Sequence, residues 1–181
     1  MTSVRRHRLE EASTAAGYCW TVVGRAPADE RHLVRSIGLA WRSREKGNHP
    51  FGSVLVDAHG DVVLESENTV VTEGDRTNHA ELNLVSAVSA RLDFNELRTT
   101  TLYASTEPCA MCAGAIYWSG IGRVVYALSA ELLATIVDDA SGESELALSC
   151  RDVFARGGRH IDVSGPHPIE GATAVHQGYW T

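Results

Sequence analysis

The sequence predicts a layered α/β protein built around a mixed sheet. Three observations carry that expectation. From about residue 29 onward, β-rich runs alternate with runs at helical spacing. The first two β-rich runs flank Ala58-His59-Gly60, a hairpin signal that makes part of the sheet antiparallel. The chain has 181 residues, 44% of them apolar, which is enough to fill one ordinary core.

The elements follow in order. Residues 1–28 read as an extension with a loose end, and 29–181 as a single domain. ADERHLVRSIGLAWRSREKG reads as a helix, with Leu33, Ile37 and Trp41 at four-residue spacing, Asp29 as its N-cap and Gly47 as its stop. GSVLVDAHGDVVLESEN supplies the hairpin. HAELNLVSAVSARLD is helical, with Leu82, Val85, Val88 and Leu92 on one face. TTTLYAST is a strand, CAMCAGAIYWSG a helix stopped by Gly120, and RVVYALS a further strand. Farther on the pattern weakens: SAELLATIV and SCRDVFARG read as helices, RHIDVSG as a strand and EGATAVHQGYW as a short last helix.

Composition excludes several classes. The net charge of −7 argues against a surface that tracks phosphates. Arg5, Arg6 and Arg8 form the only tight basic cluster. The opening MTSVRRHRLEEASTAAG lacks the apolar core of a signal peptide, and no apolar run approaches a membrane span, so a cytoplasmic protein is expected. Four cysteines are too few and too scattered for a secreted disulfide framework, and Cys19 and Cys150 read as small buried apolar residues.

The other two cysteines, Cys109 and Cys112 in TEPCAMC, are a CxxC pair. A redox pair needs only itself, whereas a zinc site needs further ligands. His79 opens the helix that follows TEGDRTN. Cys109 and Cys112 fall at i and i+3 on the first turn of another helix, where Pro108 suits the start. If the two helix N-termini meet, their positive ends favour thiolates. One His and two Cys leave a fourth tetrahedral position open, the mark of a catalytic Zn2+ rather than a structural one. Glu81 stands about 200° round the helix from His79, a poor ligand but near enough to exchange a proton with water in that position. A structural zinc or a redox pair are the alternatives, and neither gives Glu81 a task.

H-x-E…P-C-x-x-C is the signature of zinc-dependent nucleobase deaminases. From about Pro50 to Ser129 the chain resembles the cytidine/deoxycytidylate deaminase superfamily, through PFGSVLVD, ESENTV, NHAE, TLYASTEPCAMCAGAIYW and IGRVVYA. The resemblance implies a three-layer α/β/α sandwich with a mixed five-stranded sheet, a hydrolysis that releases ammonia, and a homodimer. It also implies that His79, Cys109 and Cys112 hold zinc and that Glu81 moves the proton. Phe51, Asn68, Ala80 and Pro108 would line the base pocket, with Asn68 hydrogen-bonding the base and the Ala80 amide meeting a ring carbonyl. His49, beside Pro50-Phe51, is a further candidate for the pocket's edge.

CAGAIYW, with Trp118 nine residues after Cys109, is most similar to the bacterial guanine deaminase branch. That branch encloses a planar base with aromatic residues, a role for Trp118 and for Tyr179 and Trp180 in the terminal GYWT. It also carries an acidic residue whose nearest counterparts here are Asp138, Asp139 and Glu143, within what reads as a solvated acidic loop. The expected substrate is a small aminated heterocycle with guanine leading; cytosine, a nucleoside or a pterin- or triazine-type ring are alternatives. Transfer-RNA adenosine editing ranks lower, because the last twenty residues hold no Lys or Arg to meet phosphates. The reading from another class is an inactive zinc scaffold, which retention of Glu81 disfavours. The remaining histidines, His176 among them, read as surface or packing residues.

Overall fold

A computed structural model describes residues 27–137 and 146–180. Cys19, the arginine cluster, nearly all of the 1–28 extension and Asp138, Asp139 and Glu143 lie outside the described residues. The helices are α1 (Pro27–Glu45), α2 (Val70–Glu73), α3 (Ala80–Ser89), α4 (Phe94–Arg98), α5 (Ala110–Ser119), α6 (Ala130–Ala134) and α7 (Cys150–Ala155). The strands are β1 (Gly52–Val56), β2 (Val62–Glu67), β3 (Thr101–Thr106), β4 (Arg123–Leu128) and β5 (Asp162–Ser164). They form one sheet in the order β2-β1-β3-β4-β5. β1 pairs antiparallel with β2 and β3, whereas β3–β4 and β4–β5 are parallel. The mixed five-stranded expectation holds.

Alternation along the strands sends side chains into two cores, one on each face. Leu55, Leu102, Ala104, Val124 and Tyr126 meet Leu84, Val85 and Val88 of α3, Ala113 and Ile116 of α5, and Phe154 of α7. Val54, Val56, Tyr103, Val125 and Ala127 meet Leu33, Ile37 and Leu39 of α1 with Leu133 of α6. Helices on both faces of the sheet make the three layers. Gly52 sets the spacing of α1 against β1: a Cβ there would lie 2.4 Å from the Ser36 carbonyl oxygen. That close approach places Phe51, the residue just before β1, at the sheet's end. Gly120 stops α5 as expected, in the left-handed conformation at φ 104°.

Several expectations change. Asp29 is not a cap, because α1 begins at Pro27. Its side chain, 5% exposed, instead accepts from Tyr103 Oη at 2.7 Å and from both Nη atoms of Arg123 at 2.9 Å. Arg123, the larger cause, holds this carboxyl below the usual carboxylate range. Trp41 is 38% exposed, and Leu39 and Ala40 take its place in the core. On α3 the buried set is Ala80, Glu81, Leu84, Val85 and Val88, so Leu82 leaves the inner face. The last helix reduces to a single 3-10 turn, Ala174–His176. Among the described residues no helix is long and apolar enough to cross a membrane.

Candidate active site

α3 and α5 pack on the same face of the sheet with their N-termini together. His79 is the N-cap of α3 and Cys109 the N-cap of α5, both with extended backbone. Pro108 therefore lies one residue before the cap rather than in the first turn. Neither N-cap residue makes a side-chain capping hydrogen bond, and the positive ends of both helices lie at the site. Cys112 follows one turn after Cys109 and is fully buried.

His79 Nδ1 lies 3.6 Å from Cys109 Sγ and 3.7 Å from Cys112 Sγ, and all three ligand atoms lie within 4.8 Å of one another. Tetrahedral zinc, with bonds of about 2.3 Å to sulfur and about 2.05 Å to nitrogen, requires an N···S edge of about 3.6 Å. The donor set and its spacing fit Zn2+. Without a metal, Cys112 donates to the Cys109 sulfur and His79 lies alongside, and together they pull the Cys109 thiol down to about 4. The same contact holds the proton on Cys112, whose thiol moves up.

Glu81 Oε2 stands 3.7 Å from Cys112 Sγ. The helix turn takes Glu81 away from His79 in angle, but its place on the first turn returns the carboxyl to the metal group. Only 5% exposed, it is pushed up by burial to about 7, with its own backbone N–H and the His79 charge opposing the rise. A carboxyl poised near neutral pH can both take and give a proton.

The remaining sequence-predicted residues come from separate segments. Asn68 is fully buried; its N–H donates to Phe51 O at 3.1 Å, its carbonyl accepts from Ser43 Oγ at 2.9 Å, and its Oδ1 accepts from Val70 N at 3.0 Å. Those bonds fix the amide's orientation and leave Nδ2 without a partner among the described residues. Ala80, fully buried, is the first residue of α3, and Ser53 Oγ donates to its carbonyl at 2.9 Å. Pro108 is buried. Phe51 lies with its ring centroid 5.3 Å from His176 and 6.0 Å from Trp180. Trp180 in turn packs at 5.2 Å from His49 and 4.8 Å from Tyr179. Trp118 stands apart, 80% exposed near the far end of α5, with its ring against Tyr117.

Sequence reasoning missed three contributors. His176 is fully buried in the aromatic wall, with Nε2 3.5 Å from Thr106 Oγ1. Arg44 holds that segment in place, donating through Nη1 to Val175 O at 2.7 Å and Gln177 O at 2.9 Å. Glu107, next to Pro108, accepts from the backbone N–H of Ala130 at 3.3 Å and of Cys150 at 3.1 Å, tying the cysteine loop to α6 and α7. Glu107 sits inside TEPCAMC, yet nothing local reveals its partners.

Comparisons with known proteins agree with this geometry. The family model of the cytidine and deoxycytidylate deaminase zinc-binding region matches residues 27–128. A probable cytosine deaminase of Schizosaccharomyces pombe is 37% identical over 152 residues, 84% of this chain and 92% of that protein. The guanine deaminase of Bacillus subtilis is 39% identical over 99 residues, 54% of this chain and 63% of its own length. The solved structure of a guanine deaminase from Nitrosomonas europaea superimposes with a TM-score of 0.67 at 26% identity, covering 85% of this chain and 84% of that one.

Proposed function

Because the chain belongs to the cytidine and deoxycytidylate deaminase family and is a hydrolytic deaminase, we propose that it removes the exocyclic amine of a free oxo-amino heterocycle of nucleobase size, guanine first. The observation that carries this reading is the buried Glu81 carboxyl, 3.7 Å from Cys112 Sγ, beside a His/Cys/Cys group spaced for zinc.

Zinc on His79, Cys109 and Cys112 would supply Lewis acidity that lowers the pKa of a bound water toward neutrality. The chain's own residues do the remainder. Glu81 Oε2 takes the proton that the attacking water loses and returns it to the amine nitrogen. The other proton of that water passes to the adjacent ring nitrogen, the exocyclic C–N bond breaks, the ring carbon keeps the water oxygen as C=O, and ammonia leaves. Phe51 and Trp180 flank the planar ring, Asn68 Nδ2 donates to it, and the Ala80 N–H at the start of α3 meets a ring carbonyl. Burial of Glu81 keeps bulk water from short-circuiting that transfer. The reading includes a homodimer. Trp118 joins the site only if a second copy brings it there.

Cytosine is the second reading, favoured by the likeness to the fission-yeast relative across 84% of this chain. The two bases share an amidine carbon and a ring carbonyl, so one machinery serves both. The test is ammonia release by the zinc-loaded protein from guanine, cytosine, adenine, isoguanine, ammeline, pterins, their nucleosides and transfer RNA. Release from guanine or cytosine at rates well above the others supports the reading. Release only from transfer RNA, or from nothing, overturns it.

A further inference from the structure

Buried polar atoms without partners are few in folded proteins, and each calls for a water, an ion or a ligand. Among the described residues four such side-chain atoms remain: His32 Nδ1, Asn68 Nδ2, His176 Nδ1 and Trp180 Nε1. Three of the four belong to one wall. Phe51 touches both the His176 and the Trp180 rings, and those two rings stack at 6.1 Å with an interplanar angle of 13°. Phe51 O also receives the Asn68 N–H.

This wall reaches the end of β3, the strand that leads into the cysteine loop. Trp180 packs on His49, two residues before Phe51. His176 reaches Thr106, three residues before the ligand Cys109.

Their chemistry is one-sided. Trp180 Nε1 only donates, and Asn68 Nδ2 donates because Oδ1 is committed to Val70. His176 stays neutral, since burial, then Arg44, pull it down to about 4. Assigning the 3.5 Å contact with Thr106 Oγ1 as the hydroxyl donating to Nε2 places the ring hydrogen on Nδ1. Arg44 holds the backbone on both sides of His176, so the ring is set before any ligand arrives.

We propose that His176 is a specificity-determining residue: its Nδ1–H, with Trp180 Nε1 and Asn68 Nδ2, forms a wall of donors that selects rings carrying an oxo or aza acceptor over rings that carry hydrogen there. This rests on the deaminase pocket described above and names the edge chemistry that the pocket reads.

The test is equilibrium dialysis of the zinc-loaded full chain with two matched pairs, guanine against 2-aminopurine and cytosine against 4-aminopyrimidine. Each second member carries hydrogen where the first carries the oxo group, and its neighbouring ring nitrogen loses its hydrogen. Wild type is expected to favour the oxo member of at least one pair by about ten- to a hundredfold, the consequence of leaving buried donors unpaired. His176→Phe keeps a ring and removes both nitrogens, and should bring that ratio close to one. His176→Asn restores a donor near the Nδ1 position and should recover most of it, which a purely structural role would not produce. Trp180→Phe, which keeps the stack and loses the N–H, carries the test if His176→Phe fails to fold. An unchanged ratio in the folded Phe variants overturns the proposal, as does an equal loss for all four compounds that Asn does not rescue. Oxo-selective binding without ammonia release would leave the donor wall standing and remove the turnover reading. Ammonia release without oxo preference would do the reverse. Wild type that binds none of the four overturns both.

Discussion

Glu81 Oε2 lies 3.7 Å from Cys112 Sγ, although the two residues are 31 positions apart and start from different helices. That contact joins the group that would move the proton to the group that would hold the metal. It separates two roles that mutation can address one at a time.

Glu81→Gln keeps the shape of the side chain and removes its ability to accept a proton. Turnover should fall by about a hundred- to ten-thousandfold, with zinc content unchanged by elemental analysis. Activity within a few-fold of wild type would remove Glu81 from proton transfer.

Cys112→Ser replaces a fully buried thiol with a much weaker zinc ligand. Zinc should be lost on dialysis from the variant and retained by wild type. Stripping wild type with a chelator should lower its melting temperature, since metal that binds only the folded state stabilises it. A melting temperature indifferent to chelator would contradict a resident metal.

Arg44→Ala removes the two carbonyl contacts that hold the segment around His176. Hydrogen bonds from a charged donor contribute about 1.5–3 kcal/mol each when buried. One of these is exposed, so a total loss of about 2 kcal/mol is expected by denaturant titration. KM should rise more than kcat falls, because the aromatic wall loosens while Glu81 and the His/Cys/Cys group stay in place.

Much of this was legible locally. The His79, Cys109 and Cys112 group, Glu81 beside it and the five strands are written as short motifs and alternating runs, which depend on neighbours within a few residues. Asp29 shows where that logic stops. An acidic residue at a helix start reads as a cap, but an arginine 94 positions away claims its carboxylate. The same applies to His176, held by Arg44 across more than 130 positions, and to Glu107, whose partners begin two other helices. α2 and α4, only four and five residues long, are too short to show a period. Trp118 misleads differently: it adjoins a strong motif in sequence, but most of α5 separates it from the metal group.

The fold makes its own pH dependence. His176 titrates near 4 when folded and near its ordinary value of 6.5 when unfolded, burial being the larger cause and Arg44 the lesser. Between those values the unfolded chain binds more protons, so stability rises with pH. The contribution is fully present above 6.5 and is lost as pH falls toward 4, about 3 kcal/mol in all. His49 and His32 are lowered too and add to the same limb. Denaturant titrations from pH 4 to 7 should show this acid limb flattened in His176→Phe. An identical slope in wild type and variant would contradict the assignment.

The most direct test of the deaminase reading is isotopic. Zinc-loaded protein is incubated with guanine, and in parallel with cytosine, in water enriched in oxygen-18, and the products are weighed by mass spectrometry while ammonia is counted. The account predicts one heavy oxygen in the ring product for each ammonia released, and neither with Glu81→Gln. Ammonia without heavy oxygen, or no ammonia from either base, would contradict it.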